Sequence, residues 1–379
     1  MRLLVPGETR PGERRVALLP SVVGKFRQLG YEVVVESGAG NLAYAQDSDY
    51  AAAGALVVPT SGMDDAFAAA DVVATVRPLD YARAKRLRPG AVAVSFLSPA
   101  IDLDTVRGLH DAGATGLSFD LVPRISRAQS MDALTSQSLV TGYRAALVAA
   151  DRLPKFFPLF MTAAGTIQPA RVLVLGAGVA GLQAIATAKR LGARVSAYDV
   201  RAASADEVRS MGATFISLDL DALEGSGGYA REMSDDRAQR QRDPLAPHIA
   251  DSDVVITTAA VPGRQAPLLV TRAMVEGMRP GSVVVDLASE SGGNVEGSLP
   301  GEEVMFGEVV VWGARDVPSE MPIHASQLYG MNVYSLLTLV SKDGAVVVDP
   351  DDEIIAGCSV VLDGNVRNDA AISALQGGG

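Results

Sequence analysis

The stretch VLVLGAGVAGLQAIATAKRLGARVSAYD, residues 172–199, decides the fold of this chain. An apolar, strand-like run over 171–176 leads into the pattern Gly-x-Gly-x-x-Gly, which is followed by a helical pattern over Val179–Arg190 and a second apolar run that ends at Asp199. Strand, glycine turn, helix, strand and acidic residue in this order are the pattern of a dinucleotide-binding βαβ unit. The stretch therefore predicts a Rossmann-type domain.

The residues of the turn have separate physical tasks in holding a dinucleotide. Gly176 permits the tight turn, Gly178 lets the backbone approach a pyrophosphate, and Gly181 lets the helix pack closely on its strand. The phosphates would meet free N–H groups and the positive end of the helix dipole. The predicted cofactor-binding residues of this unit are Gly176, Ala177, Gly178, Val179, Gly181, Asp199, Val200 and Arg201.

Asp199 bears on the choice between NAD and NADP. Its carboxylate can accept hydrogen bonds from the adenosine ribose hydroxyls and would repel a 2′-phosphate, which favours NAD(H). Arg201 weakens this inference, because a nearby arginine can accommodate the phosphate. A glycine turn that binds nothing remains the alternative.

Val-rich runs recur along the chain, and short, nearly continuous apolar runs are typical of parallel strands covered on both faces. Parallel strands need helical crossovers, so we predict an α/β fold of two Rossmann-like domains with doubly wound, mostly parallel sheets. The main predicted strands are 2–6, 31–36, 71–76, 91–97, 171–176, 194–199, 253–259, 282–288 and 308–313.

The first predicted domain comprises 1–135 and a returning tail, 329–379, and the second comprises 138–328. An NAD cleft is expected between them, because interdomain clefts are common ligand sites. A long helix is predicted over 138–157, which Pro154 should kink or end.

Later segments of the second domain are also candidates for contact with the cofactor. Ligands bind outside the carboxyl ends of parallel strands, so Thr258 and Ala260 are predicted contacts, although ordinary strand exits are the alternative. The polar stretch 224–247 has no β pattern and is interpreted as an excursion. Its Gly228 is a further cofactor candidate, and Tyr229 is either the tip of a closing lid or a surface tyrosine.

The segment VPRISRAQSMDALTSQS, residues 122–138, is a second candidate site. Arg124 and Gln129 could hold carboxamide and ribose groups of the cofactor. Asp132 and Thr135 could fix its ring. The alternative is a linker or a helix start with Ser130 or Asp132 as the N-cap. The candidate residues are Arg124, Gln129, Ser130, Asp132 and Thr135.

Composition argues against several other classes of function. The net charge is −11 and no basic block occurs, so nucleic acid is not an expected partner. A single cysteine and three scattered histidines favour a reducing compartment and no metal site. The N-terminal segment does not resemble a signal peptide, and no apolar run reaches the roughly 18 residues of a membrane span. A soluble, cytoplasmic chain is expected.

Over its whole length the chain resembles the NAD(H)-binding domain I, encoded separately in some bacteria, of the alpha subunit of proton-translocating NAD(P) transhydrogenases, a group related to alanine dehydrogenases. The stretch PRISRAQS is the most specific, because alanine dehydrogenases lack it. The stretches that carry the resemblance are MRLLVPGETRPGERRVALLP, VPRISRAQSMDALTSQS, TAAGTIQPARVLVLGAGVAGLQAIATAKRLGA, TTAAVPGRQAP, DLASESGGN and SQLYGMN.

The resemblance implies roles for several of the candidate residues. Arg124 and Gln129 fall in the loop that, in this family, lines the nicotinamide and faces the NADP(H)-binding domain of a partner subunit. Asp132 and Thr135 fall on positions of that loop that contact the nicotinamide ring. The threonine departs from the serine usual in the family but keeps the hydroxyl. Tyr229 falls on the tyrosine of the family's mobile loop.

The resemblance also implies the partners. The chain would form a homodimer and dock onto the NADP(H)-binding domain of a beta subunit, whose membrane-spanning portion moves protons. It would then lie at the inner face of the cell membrane without inserting into it. NADH bound here would give its hydride to NADP+ held by the partner, a reaction that needs aligned, dry placement but no general base. No Lys or His occurs in the candidate segment 122–138 or in the polar stretch 224–247.

Two other classes of function remain open. In an amino-acid oxidoreductase like alanine dehydrogenase, Arg15 would bind a substrate carboxylate, whereas the alternative is a structural ion pair. The catalytic Lys, His and Asp of those enzymes align with Arg77, Ser98 and Glu290, which argues against that activity. A non-catalytic, NAD-binding regulatory module is the third hypothesis.

Overall fold

The computed structural model describes residues 1–218, 235–260 and 265–377. The chain divides into two compact units, Met1–Gln137 with Pro318–Gly379 and Ser138–Val317. The chain returns to the first unit at Pro318, earlier than the boundary predicted after residue 328. The physical reason is that Pro322–Val340 is one continuous helix, and its buried residues Tyr329, Val333, Leu336, Leu337 and Val340 belong to the core of the first unit.

The strands and helices alternate through most of the chain. The strands are β1 (Arg2–Val5), β2 (Glu32–Glu36), β3 (Leu56–Val58), β4 (Val72–Ala74), β5 (Val92–Ser95), β6 (Thr115–Ser118), β7 (Phe160–Thr162), β8 (Gly165–Ile167), β9 (Arg171–Leu175), β10 (Arg194–Tyr198), β11 (Thr214–Phe215), β12 (Val254–Thr257), β13 (Val283–Asp286), β14 (Glu303–Phe306), β15 (Val309–Gly313), β16 (Ser341–Lys342), β17 (Ala345–Val346), β18 (Ser359–Leu362) and β19 (Asn365–Val366). The α-helices are α1 (Pro20–Gln28), α2 (Asp47–Ala52), α3 (Met63–Ala69), α4 (Tyr81–Lys85), α5 (Leu103–Ala112), α6 (Ala133–Arg152), α7 (Val179–Arg190), α8 (Ser204–Ser210), α9 (Asp235–Ala250), α10 (Arg272–Glu276), α11 (Pro322–Val340), α12 (Glu353–Cys358) and α13 (Asp369–Gly377).

The first unit contains an eight-stranded sheet in the order β3-β2-β1-β4-β5-β6-β18-β19. The six strands from β3 to β6 are parallel, and β18 and β19 are antiparallel to their neighbours. Alternate residues of one strand enter different apolar clusters: Leu3 and Val5 lie in one cluster and Leu4 in another. Both faces of this sheet are therefore buried, as nearly continuous apolar strands predict.

The second unit contains a seven-stranded sheet in the order β11-β10-β9-β12-β13-β15-β14, of which only β14 pairs antiparallel. The chain runs outward from β9 to β10 and β11, and then returns to the other side of β9 as β12. The order of the strands therefore reverses between β9 and β12. The prediction of two doubly wound, mostly parallel α/β domains is confirmed.

Two helices refine the sequence-based predictions. Helix α6 begins at Ala133, earlier than predicted, and ends at Arg152, so Pro154 lies beyond its end. Helix α9, Asp235–Ala250, occupies some of the stretch interpreted as an excursion and accommodates Pro244 within it. Within the described ranges, no helix is long and apolar enough to cross a membrane.

A small hairpin, β7–β8, forms a two-stranded sheet of its own in the second unit. Every residue from 159 to 168 is exposed. The hairpin carries large apolar side chains, among them Phe160, Met161 and Ile167, of which Met161 is 77% exposed. An isolated two-stranded hairpin is at best marginally stable in water. The hairpin therefore exposes apolar side chains on an element that pairs with no other strand of the described residues.

Candidate dinucleotide-binding site

The glycine turn lies at the carboxyl end of β9, next to β12, where the strand order reverses. This switch point is where open α/β sheets bind ligands. Gly176 has a φ of 105°, which an L side chain rarely adopts. The hydroxyl of Thr258, directly after β12, donates to the Gly176 carbonyl oxygen at 3.0 Å. The loops after both strands are thus joined at the predicted crevice.

The other two glycines of the motif differ in what surrounds them. A Cβ on Gly181 would overlap the carbonyl oxygen of Gly176, so the helix can approach the turn only without a side chain there. A Cβ on Gly178 would meet no atom of the described residues within 4 Å. The same residues provide no side-chain cap for the N-terminus of α7, which begins at Val179. Open space beside uncapped N–H groups fits a pyrophosphate.

Asp199 lies at the carboxyl end of β10 and is 9% exposed. Its Oδ2 accepts the backbone N–H of Ala177 at 2.7 Å, and its Oδ1 accepts the backbone N–H of Arg201 at 2.8 Å. The Arg201 guanidinium donates from Nε and Nη2, both at 2.9 Å. Burial by itself would raise the pKa of Asp199, but the hydrogen bonds from Arg201 and Ala177 lower it below its ordinary value. The carboxylate is therefore ionised at neutral pH.

The other residues predicted around this turn differ in exposure. Ala177 is buried, Val200 is half-buried, and Val179 and Ala260 are exposed. Val179 and Ala260 can therefore be reached from solvent beside the turn, while Ala177 contributes through its backbone.

A buried network that the sequence did not reveal holds the loops after β12 and β13. The Asp286 carboxylate, fully buried, accepts the Thr257 hydroxyl at 3.0 Å and the backbone N–H groups of Ala288 and Asn294. The Asn294 side chain in turn bonds both the N–H and the carbonyl of Ala259. Asp286 is thus an ordinary structural residue. Asn294 follows Gly292 and Gly293, both of which have a positive φ in the structure.

The candidate segment of the first unit forms a 3₁₀ turn over Ser126–Met131. Its apolar residues Ala128 and Met131 are buried in the core of this unit, whereas Arg124, Gln129 and Ser130 are exposed. This arrangement anchors the turn by its apolar residues and presents polar side chains on the surface, where a ligand or a partner could contact them.

Asp132 acts as the N-cap that the alternative interpretation foresaw. Its Oδ1 accepts the backbone N–H of Thr135 at 2.8 Å, and its Oδ2 accepts the Thr135 hydroxyl at 2.6 Å. Ser130 does not cap α6, but its carbonyl accepts Nδ2 of Asn332 at 2.9 Å. The contacts of Asp132 and Thr135 with a nicotinamide ring remain a prediction.

Arg127 ties the same turn to the C-terminal segment. Its guanidinium bonds both carboxylate oxygens of Asp352, at 2.7 and 3.2 Å, and reaches Glu353 at 3.3 Å. Asp352 also caps α12. The Arg127 guanidinium lowers the pKa of Asp352 below its ordinary value. Arg127 thereby fixes the segment that carries Arg124 and Gln129.

Arg15 forms the structural ion pair that the alternative interpretation foresaw. Arg15 and Glu13 are both 4% exposed. Nε and Nη2 of Arg15 bond the two Glu13 oxygens at 2.8 and 2.6 Å, and Arg77 Nε reaches the same carboxylate at 2.8 Å. Burial acts to raise the pKa of Glu13, but the two arginines lower it to about 2. The guanidinium face that a substrate carboxylate would need is occupied by Glu13.

The other positions aligned with alanine dehydrogenase catalysis also make structural contacts. The Ser98 backbone N–H donates to Asp120 at 2.9 Å, and a Glu290 oxygen accepts the backbone N–H of Asp316 at 3.0 Å. The remaining predicted positions, Gly228 and Tyr229, lie outside the described residues. No group of His, Cys, Asp and Glu in the described segments of the chain could hold a metal ion.

Comparison with known proteins agrees with this geometry. The protein-family model "Alanine dehydrogenase/PNT, N-terminal domain" matches residues 4–141 of this chain. The family model "Alanine dehydrogenase/PNT, C-terminal domain" matches residues 145–369. An NAD(P) transhydrogenase alpha-subunit chain of Rhodospirillum rubrum is 44% identical over 380 residues, covering 98% of each chain. The alanine dehydrogenase of Mycobacterium tuberculosis is 34% identical over 303 residues, covering 79% of this chain and 76% of that protein.

A solved structure gives the same result. The transhydrogenase from Sinorhizobium meliloti is 40% identical, with a TM-score of 0.87 over 97% of this chain and 100% of that one. The chain therefore belongs to the alanine dehydrogenase/PNT family, and within it to the group of transhydrogenase alpha subunits.

Proposed function

We propose that the chain is the NAD(H)-binding component of a proton-translocating, Re/Si-specific NAD(P)+ transhydrogenase, which passes hydride between NADH held here and NADP+ held by a partner subunit. The observation that carries the proposal is the glycine turn, where the described residues leave the space beside Gly178 open and provide no side-chain cap for the start of α7. The names and identities of the relatives support the same activity.

The residues of the chain have binding and positioning tasks in this proposal. The bound dinucleotide supplies the hydride. The α7 N-terminus neutralises the pyrophosphate, Asp199 receives the ribose, and Arg124, Gln129, Asp132 and Thr135 form the nicotinamide-binding set. None of these residues needs to move a proton, because hydride passage between two nicotinamide rings leaves no proton to transfer. Tyr229 and Gly228 are proposed for the mobile loop.

The contacts of Arg15 favour this function over amino-acid oxidation. In an amino-acid oxidoreductase a free guanidinium would bind the substrate carboxylate. Here the Arg15 guanidinium is paired with buried Glu13, and the positions of the catalytic Lys and His carry Arg77 and Ser98. Binding a substrate carboxylate at Arg15 would leave the Glu13 charge buried without this partner, which is costly.

The direct test mixes the purified chain with NADH, an NADP+ analogue and a purified NADP(H)-binding domain. We expect hydride exchange only when that domain is present. Oxidation of NADH by the chain alone with pyruvate and ammonia would overturn the proposal in favour of an alanine dehydrogenase-like enzyme. Binding of NADH with neither reaction would instead indicate a regulatory module.

The proposal includes a beta subunit with an NADP(H)-binding domain and membrane-spanning subunits, so the chain would lie at the cytoplasmic face of the membrane through them. It also includes a homodimer. The β7–β8 hairpin supports the homodimer, because it is exposed, apolar and free of charged residues from 156 to 168. A second copy of such a surface meets no like charge across a two-fold axis.

Light scattering after size-exclusion chromatography tests the homodimer. We expect the wild type to elute as a dimer and Met161→Asp to shift it toward a monomer, with Met211→Asp as the control. Met211 is 42% exposed at the end of α8, away from the hairpin in sequence. A dimer that is unchanged by Met161→Asp would remove the hairpin from the interface.

A further inference from the structure

The Asp199 carboxylate has a limited number of acceptor positions, and the described residues already fill them. A carboxylate offers about four lone-pair sites. Here four N–H groups are bonded to it: the backbone N–H of Ala177, and the backbone N–H, Nε and Nη2 of Arg201. A ribose hydroxyl can therefore be accepted only if one of these donors leaves.

The two guanidinium donors are the ones able to leave. The Ala177 and Arg201 backbone N–H groups are held by the turn and by the chain after β10. The Arg201 side chain is 23% exposed, whereas that of Asp199 is 6% exposed. The guanidinium can swing toward solvent while the Arg201 backbone N–H keeps its own bond to Asp199.

We propose that Arg201 is a specificity-determining residue that acts as a displaceable counter-ion on the ribose-binding carboxylate. This inference rests on the proposed function. The ribose hydroxyls of NAD(H) would take the acceptor positions of the guanidinium. A 2′-phosphate would instead be bound by the guanidinium as it turns away from Asp199.

The charge of the pair gives this displacement a consequence for selectivity. Asp199 by itself would repel a 2′-phosphate, but Arg201 Nη2 lies 2.9 Å from Oδ2, so the pair is close to neutral as a whole. Selectivity for NADH over NADPH is therefore weaker in the wild type than the acidic residue alone would give. Removing the guanidinium should increase it.

The test measures the dissociation constants of NADH and NADPH by nucleotide fluorescence, without any partner or turnover. We expect Arg201→Ala to keep or strengthen NADH binding and to weaken NADPH binding about tenfold, because a charge-assisted hydrogen bond to the phosphate is lost. Arg201→Gln, which keeps a polar stem without charge, should give the same direction. Asp199→Asn should change the ratio of the NADPH and NADH dissociation constants in the opposite direction.

Arg209→Ala is the matched control, because Arg209 is a neighbouring surface arginine that pairs with Asp206 within its own helix. The ratio of the NADPH and NADH dissociation constants of this variant should stay within about twofold of the wild-type ratio. Melting temperatures establish that each variant is folded. An unchanged ratio in both Arg201 variants, or equal losses for both nucleotides, would overturn the inference while leaving the proposed function intact. Failure of the wild type to bind NADH would overturn both.

Discussion

Thr258 bonds Gly176 across the reversal of strand order in the second unit. The Thr258 hydroxyl follows β12 and the Gly176 carbonyl follows β9, and the two atoms lie 3.0 Å apart. The glycine turn is therefore held by the loop of the neighbouring strand as well as by its own helix. This bond makes the side chain of Thr258 a support of the turn.

Substitution of Thr258 should weaken that support. Thr258→Val keeps the volume but removes the donor, so we expect a loss of about 1 kcal/mol in unfolding free energy and weaker NADH binding. Thr258→Ser keeps the hydroxyl and serves as the control. Urea unfolding and NADH titration measure the two effects. Equal behaviour of the two variants would mean that the hydroxyl is not the relevant group.

Gly178 and Gly181 should respond differently to the same change. Gly181→Ala places a Cβ against the Gly176 carbonyl oxygen, so we expect about 1–3 kcal/mol of destabilisation and loss of NADH binding. Gly178→Ala meets no atom of the described residues within 4 Å, so it should leave the melting temperature nearly unchanged. Its methyl group would occupy the pyrophosphate space and weaken NADH binding. A Gly178→Ala variant that binds NADH normally would count against a dinucleotide at this turn.

Gln129→Ala should separate hydride transfer from binding. Gln129 is exposed on the anchored 3₁₀ turn, so its removal should not affect folding. We expect hydride transfer to the partner nucleotide to fall at least tenfold while NADH affinity changes less than about threefold. Ser126→Ala, on the same turn, is the control. Parallel losses of transfer and affinity would assign Gln129 a structural role.

Glu13→Gln should destabilise the first unit strongly. The substitution leaves Arg15 buried without its counter-ion, which typically costs about 3–5 kcal/mol. Glu32→Gln is the control, because Glu32 forms an exposed pair with Arg2. It should cost less than about 1 kcal/mol in urea unfolding. Similar losses of unfolding free energy in Glu13→Gln and Glu32→Gln would contradict a stabilising role of the buried Glu13–Arg15 pair.

Glu8 should make stability fall with rising pH. Burial raises the pKa of Glu8 from 4.5 to about 7, despite the N–H groups of Val76 and Arg77 that its carboxylate accepts. Between these values the unfolded chain has released the proton and the folded chain has kept it, so ionisation favours unfolding. The expected loss is about 3 kcal/mol between pH 5 and pH 8.

Glu8→Gln should remove that dependence. Glu13 stays ionised throughout this range, because its pKa is about 2, and so does not contribute to the slope. Urea unfolding of wild type and variant at pH 5, 6, 7 and 8 measures the difference. If the unfolding free energies of wild type and variant changed with pH in parallel, Glu8 would ionise normally in the folded protein.

Local sequence patterns predicted most of the fold. β9, α7 and β10 follow from apolar runs and glycines that are neighbours in the chain. β6 was missed because its residues, Thr115–Ser118, are buried but carry few apolar side chains. The second boundary between the units was misplaced, since it depends on where α11 packs rather than on any local signal.

The candidate site was predictable in its residues but less so in their contacts. The spacing of the motif indicated Asp199 and Arg201. It could not show that the Arg201 guanidinium occupies acceptor positions of the Asp199 carboxylate, because that contact depends on side-chain rotamers. Asn294 was missed because its partner Ala259 is distant in sequence, and an asparagine by itself carries no pattern. Asp132 was predicted both as a cap and as a ligand contact, and local geometry can show only the first role.

The β7–β8 hairpin sets a condition on every measurement of stability. If a second copy covers Phe160, Met161 and Ile167, association and folding are linked, so the melting temperature rises with protein concentration. Unfolding free energies of variants are then comparable only at one fixed concentration. The uncovered strand edges of a dissociated chain are also ready to pair with other chains, so dilution and heating together should favour aggregation over reversible unfolding.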